Sequence, residues 1–223
     1  MSGVDPPTGA LTLELAGEPL WLLPERAVWW PGGGTLLIAD THLGKGASFR
    51  RAGMAVPRGS SAQTLARLGG LVEQLAPRQI VILGDVLHAA LPPEDPLPGI
   101  IARWRERYPG PALRAVRGNH DRTPEPLAGL LEWHAERLPV APFVLRHHPC
   151  PDPEGPVLAG HLHPAVRLQG PARDTLRLPA FVLEGGGLTL PAFGELTGGR
   201  LVGPGRGRRR YAAIPDRVVP LDS

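Results

Sequence analysis

The sequence predicts an α/β protein made of two packed, mixed β-sheets flanked by helices. Three observations lead there. Strand-like and helix-like patterns alternate as far as residue 140, after which helical periodicity stops and short strand patterns follow one another. The first pattern builds a parallel-rich sheet and the second a more antiparallel one, and stacking them with helices outside buries both. The chain, at 223 residues, is long enough to enclose such a core and reads as one domain over residues 11–223, after a loose tail at residues 1–10.

Taken in order, "LTLEL", "PLWLL" and "AVWW" are β-prone, and the "WW" pair at 29–30 reads as sheet packing. "TLLIAD" is a buried strand, followed by a loop that carries Lys45, Arg50 and Arg51. "SSAQTLARLGGLVEQLA" has the apolar spacing of an amphipathic helix, with Ser60 or Ser61 near its N-cap. "QIVILGD" is a second buried strand, "PGIIARWRERY" a helix, and "ALRAVRGNHD" a strand running into a loop. "EPLAGLLEWHAER" reads as a helix that carries His134 on its surface. Then come the short strands "FVLRHH", "VLAGHLH", "AVRLQ", "AFVLE", "LTLPAF" and "RLVG". "GRGRRRY" at 205–211 reads as a solvated hairpin.

Composition narrows the class. No apolar run approaches the length of a membrane span, and "MSGVDPPTGA" lacks the basic start and apolar stretch of a secretory signal. One cysteine, Cys150, allows neither an internal disulfide nor a thiolate-rich zinc cage, so a cytoplasmic setting is expected. The net charge is +3 and the cations are arginines apart from Lys45. This balance permits an anionic partner without requiring one.

Chemistry gathers at the predicted strand ends, where open α/β sheets bind ligands. Asp40 and His42 follow one strand, Asp85 the next, then Asn119 and His120, His147, and finally His161 and His163 in "GHLHP". Of the eight histidines, seven fall in these motifs and only His134 does not. Alone, "DTH" would pass for a helix cap and "GNHD" for a turn. Together they give carboxylates, imidazoles and an amide without thiolate, a set suited to Mn²⁺, Fe or Zn²⁺. Seven candidate ligands, these groups without His120, exceed the needs of one tetrahedral ion and match two ions about 3.5–4 Å apart.

"ADTH", "GDVLH", "GNHD", "RHHP" and "GHLH", in that order over residues 40–163, resemble the calcineurin-like metallophosphoesterase signature. "IADTHLGKGASFRRAGMAVP", "LAGHLHPAV" and "LPAFGELTGG" are similar to one bacterial branch, the ligase-associated DNA damage response endonucleases. The resemblance implies a four-layer αββα sandwich and two divalent ions, Mn²⁺ foremost. Asp40, His42 and His163 would hold one ion, Asn119, His147 and His161 the other, and Asp85 would bridge them. "RHHP" offers His147 or His148, and the family spacing selects His147. His120 would act on the leaving group, with Asp121 either orienting its ring or closing the turn. Lys45, Arg50 and Arg51, which follow the first of these motifs, either contact substrate phosphates or stand as solvated loop charges. "GDVLH" departs from the family's usual "GDxxD", which leaves His88 to meet substrate or to orient Asn119.

The implied activity is a two-metal phosphodiesterase, in this branch a single-stranded DNA endonuclease working in repair beside a DNA ligase and a helicase. The alternatives are a phosphodiesterase or phosphomonoesterase acting on small molecules and a non-catalytic assembly scaffold of the same fold.

Overall fold

The computed structural model describes residues 5–123, 125–169 and 175–222. The first sheet contains β1 (Leu11–Leu15), β2 (Glu18–Leu23), β3 (Ala27–Trp30), β4 (Thr35–Ile38), β5 (Gln79–Leu83), β6 (Ala112–Val116) and β7 (Glu132–His134), side by side in chain order. It is antiparallel from β1 to β4 and parallel from β4 to β7. The central strands are buried on both faces. In β4, Leu36 and Ile38 face the helices while Leu37 faces the second sheet, and in β5 Ile80 and Ile82 oppose Val81 and Leu83 in the same way.

The second sheet holds β8 (Arg137–Val140), β9 (Phe143–Arg146), β10 (Val157–Ala159), β11 (Pro164–Gln169), β12 (Thr175–Glu184), β13 (Gly187–Thr189), β14 (Arg200–Leu201), β15 (Arg209–Ile214) and β16 (Arg217–Pro220). Its order is β14-β11-β12-β13-β10-β9-β8, with β15 on β12 and β16 on β15. The two sheets meet over a core that includes Leu22, Leu37, Leu83, Phe143, Leu158 and Phe181. Trp30 and Phe143 join them edge to face, ring centres 5.0 Å apart. The "WW" pair is thus divided: Trp29 packs under the helices and Trp30 between the sheets.

Three α-helices are described: α1 (Lys45–Arg51), α2 (Ser60–Leu75) and α3 (Leu97–Arg107). Leu65, Leu68, Leu71 and Val72 of α2 and Ile101 and Trp104 of α3 cover the first sheet. The Trp104 indole N–H donates to the Leu65 carbonyl at 2.9 Å and ties the two helices. All three lie in the first half of the chain. Among the described residues the second sheet's outer side carries small apolar clusters, such as Val166, Leu178, Ala180 and Ala212, rather than a helical layer.

Several local expectations are corrected. The Lys45–Arg51 segment is helix α1, not loop. Ser60 and Ser61 do open α2, directly after its N-cap Gly59 at φ 94°, and Ser61 Oγ accepts the Gly44 N–H at 3.0 Å, joining the starts of α1 and α2. The helix expected over "EPLAGLLEWHAER" is a 3₁₀ turn at Glu125–Leu127 followed by strand β7. Gly129, at φ 78°, turns the chain there, and β7 gains a ladder on β6 that a helix would forgo. His134 therefore lies on a strand, half-buried, with Nε2 3.1 Å from Glu132 Oε1. Of the expected tail, residues 1–4 lie outside the described residues, whereas the Gly9 carbonyl accepts the Val218 N–H at 2.9 Å. The 205–211 stretch enters hairpin strand β15; Arg208 binds Glu184 through two nitrogens at 2.8 and 3.0 Å, and Arg210 pairs with Asp222 at 2.7 Å.

Phe181 has no solvent exposure and stands between the sheets. Phe181→Ala should cost about 3–5 kcal/mol of stability through lost burial and a cavity. The urea-unfolding midpoint measures it, and a change within error would mean the two sheets do not depend on this contact.

Candidate metal centre

The centre lies where strands of both sheets end. Asp40 and His42 follow β4, Asp85 follows β5, Asn119 and His120 follow β6, His147 follows β9, and His161 and His163 follow β10. Side chains expected from five separate motifs meet there. His42 Nε2 is 3.2 Å from His163 Nε2 and 3.7 Å from Asp85 Oδ2. His163 Nε2 is 3.5 Å from Asp40 Oδ1. On the other side, His147 Nε2 is 3.0 Å from Asn119 Oδ1, 3.1 Å from His161 Nδ1 and 3.6 Å from Asp85 Oδ1. Asp85 therefore touches both groups, one oxygen toward each.

The backbone is bent to make this arrangement. Asp40, His42, Asp85, His161 and His163 all have φ between 42° and 70°, a region that side-chain-bearing residues seldom occupy. Such strain collects where the surrounding structure demands a side-chain direction. Two motif glycines have steric reasons. A Cβ on Gly84, itself at φ 82°, would collide with His147 Nδ1, and one on Gly118 would collide with the Asp85 carboxylate. Asp121 closes the turn: its buried carboxylate accepts N–H groups from Val86 at 3.2 Å, Leu87 at 3.0 Å and Gly118 at 3.0 Å. The His120 ring is oriented otherwise, with Nδ1 2.8 Å from the His88 carbonyl oxygen.

Protonation favours cation binding. Burial first, then His163, Lys45, His120 and His88, pushes His42 down from an ordinary 6.5 to about 2, so its ring is neutral. Burial, followed by His147 and His148, also lowers His161. His163 is raised: burial opposes its charge, but the hydrogen bond to Asp40 and that carboxylate's charge outweigh it. A proton on His163 thus stands among Asp40 and His42, where a metal cation would find the same donors. His147 donates Nδ1–H to the Leu83 carbonyl at 3.0 Å, which leaves its Nε2 lone pair toward Asn119 and Asp85. The neutral His42 ring, the His163 ring whose proton a cation would displace, and two buried carboxylates, with donor atoms of all four residues within 4.8 Å of one another, fit a divalent metal.

Around this core the remaining candidates divide. His88 stacks on His120, rings 5.4 Å apart and 18° from parallel, and also meets His42 and Phe49 edge-on. It lies beside His120 rather than against Asn119. His148 is exposed, with its ring 4.1 Å from that of His161, while His147 takes the buried position. Lys45 opens α1 with its ammonium 5.6 Å from the Phe49 ring, near enough to His42, His88 and Asp85 to act on their charges. Arg50 and Arg51 turn away. Arg50 donates to the Pro57 carbonyl at 2.9 Å, and Arg51 pairs with Asp95 at 3.3 Å. The three cations form no single grip.

One supporting group was not legible in the sequence. Glu195 receives Arg26 at 2.9 Å and also pairs with Arg67, whose guanidinium covers the Phe193 ring and donates to its carbonyl. This clamp fixes the 193–199 segment, whose Gly198 carbonyl lies 3.3 Å from His163 Nδ1. The only sequence signal was "LPAFGELTGG", which no chemical pattern explains.

The calcineurin-like phosphoesterase family model matches residues 35–165, the stretch that supplies every residue of the centre. The chain belongs to this family and is a metal-dependent hydrolase of phosphate esters with the family's α/β sandwich. A crystal structure of the Pseudomonas putida nuclease MPE superposes with a TM-score of 0.80 at 37% identity, covering 95% of this chain and 100% of that one. Yfce, a phosphoesterase from E. coli, aligns at 18% identity with a TM-score of 0.44, over 83% of this chain and 96% of that one. Among curated proteins, none matches this chain.

The lowered histidines set a pH dependence. His42 binds its proton more weakly folded than unfolded, so its stabilising effect is complete above about pH 6.5 and is lost as pH falls below that value. His88, His148 and His161 share this direction, and His163 opposes it. The urea midpoint of metal-stripped protein should drop between about pH 7.5 and about pH 5, and His42→Gln should shrink the drop. An equal drop in the variant would refute the neutral, buried state of His42.

Proposed function

We propose that the protein is a two-metal phosphodiesterase that cuts single-stranded DNA internally, in a repair setting with a DNA ligase and a helicase as co-workers. The observation that carries this reading is the likeness, along nearly the whole chain, to a protein described as a nuclease. The shape of the centre agrees with it. Asp40, His42 and His163 would hold one ion, Asn119, His147 and His161 the second, and Asp85 would serve both; Mn²⁺ suits this oxygen and imidazole set, as do Fe and Zn²⁺. When bound, such ions neutralise charge on the phosphate and activate water.

The chain's own groups supply the rest. His120 keeps Nδ1–H on the His88 carbonyl, so Nε2 faces inward, 4.0 Å from Asp85 Oδ2. Protonated there, it donates to the oxygen that leaves the phosphate, while the carboxylate supports its positive charge. His88, stacked on that ring and crowded by Phe49, restrains it from swinging out. Lys45 adds a compact positive charge on the His42 side, directed at the reacting phosphate. Its charged state is disfavoured by burial and favoured by Asp85. Arg50 and Arg51, bound elsewhere, serve substrate only if those contacts are exchanged.

A metal screen on circular single-stranded DNA and on a small aryl phosphodiester tests the reading. Linearisation of the circle with Mn²⁺ is the expected result. Hydrolysis of the aryl ester with an intact circle would favour the small-molecule alternative, and inactivity on both with every metal would favour the scaffold.

His120→Ala should keep its metal content while losing about 10²–10⁴-fold in turnover, the usual worth of a general acid. Loss of metal in step with activity would make His120 a ligand instead.

A further inference from the structure

Beside the first metal position lies a charged surface with no role in the chemistry above. A cavity of about 210 Å³ opens next to His163, lined by Arg26, Ala165, Arg177, Pro179, Thr197 and Gly199 among others. Arg26 is engaged with Glu195. Arg177 is exposed and sits on β12 directly opposite Arg167 of β11, which is exposed as well.

The register fixes where these two arginines look. Residues that pair across an antiparallel ladder share a face, and alternate residues along a strand share it too. Ala165 pairs with Pro179, Arg167 with Arg177 and Gln169 with Thr175. Because Ala165 and Pro179 line the cavity beside His163, the arginine pair continues that same face outward. β11 begins one residue after His163, so the path starts at the metal centre itself.

The pairing sets two like charges side by side. Another arginine pair that meets across a ladder, Arg137 of β8 with Arg146 of β9, shares one anion, the Asp152 carboxylate, at 3.3 and 3.1 Å. Like charges placed directly across a ladder are destabilising. An anion that bridges them reverses the sign of the interaction, and a phosphodiester is the anion the neighbouring centre handles. The opposite face of the same hairpin carries the exposed Leu168 and Leu176, so the two faces differ sharply in character.

We infer that the Arg167–Arg177 face, together with the cavity at His163, is a subsite for the sugar-phosphate backbone of a single strand, holding phosphates that flank the one being cut. This rests on the single-stranded DNA reading above and extends it by giving the strand a direction, from the metals along β11 and β12. Two exposed guanidiniums without aromatic partners on that face hold backbone rather than bases, so binding there is independent of sequence.

Direct binding tests it apart from cleavage. Fluorescence anisotropy of a labelled single-stranded oligonucleotide is measured with the full chain in chelator, across a salt series, for wild type and for Arg167→Glu/Arg177→Glu. The double variant should bind at least about tenfold more weakly, and its salt slope should be shallower by about 1.4, since each lost single-strand phosphate contact removes about 0.7. Should charge reversal disturb folding, as read by the thermal midpoint, Arg177→Gln carries the test with a slope change of about 0.7. Equal affinity and slope in a folded variant overturns the inference, as does a wild type that binds no strand. A wild type that binds through this face yet leaves the DNA circle intact with every metal supports the inference and removes only the endonuclease reading.

Discussion

Two carboxylates almost sealed from water, Asp40 at 0% and Asp85 at 2% exposure, impose the constraint around which this protein is arranged. Buried carboxylates are costly unless hydrogen bonds and positive charge compensate them. Backbone groups meet part of the need. The His161 N–H donates to Asp40 at 2.9 Å, and the His120 N–H donates to Asp85 at 2.9 Å. The remainder requires cations or polarised imidazoles from elements far apart in the chain. Five strand ends must therefore converge, and convergence at one point requires two sheets stacked closely enough for their carboxyl ends to share a rim. The left-handed backbone at Asp40, His42, Asp85, His161 and His163 is the local expression of that requirement.

The packing around the centre serves the same demand. Gly84 and Gly118 remove side chains where His147 and Asp85 must stand, and Asp121 gathers three backbone N–H groups so that the loops after β5 and β6 hold one shape. On the far side, the Phe193 N–H donates to the Ala39 carbonyl at 2.7 Å, and Gly194 donates to the Asp40 carbonyl at 3.1 Å. The Arg26–Glu195–Arg67 clamp presses this segment home. A stretch without titratable catalytic chemistry of its own thus positions a candidate ligand, because it closes the wall behind Asp40 and His163.

Charges around the centre are placed by different elements. Lys45 stands alone near the chemistry because α1 turns Arg50 and Arg51 outward. The arginines that face the path away from His163 come from the β11–β12 hairpin, over 120 residues further along the chain. Basic composition alone did not distinguish these roles, since Arg208 and Arg210, in the most basic run of the sequence, are bound to Glu184 and Asp222.

The alternation of strands with helices in the first half, the full burial of β4 and β5, and the identity and order of the polar residues after those strands were legible from the sequence by itself. These follow from periodicity and from chemistry that acts over a few residues. It misjudged the "EPLAGLLEWHAER" segment, because Leu127 and Leu131 have helical spacing while the open edge of β6 offers a ladder that spacing does not reveal. It likewise left the 45–51 segment as a loop, because so short a helix is held by its tertiary neighbours rather than by its own propensity. Only the tertiary structure decided that Asp121 closes a turn instead of holding His120, that Glu195 is clamped by two arginines, and that Arg167 faces Arg177. Each of these depends on register and close approach between segments distant in sequence, and local residue pattern carries no measure of either.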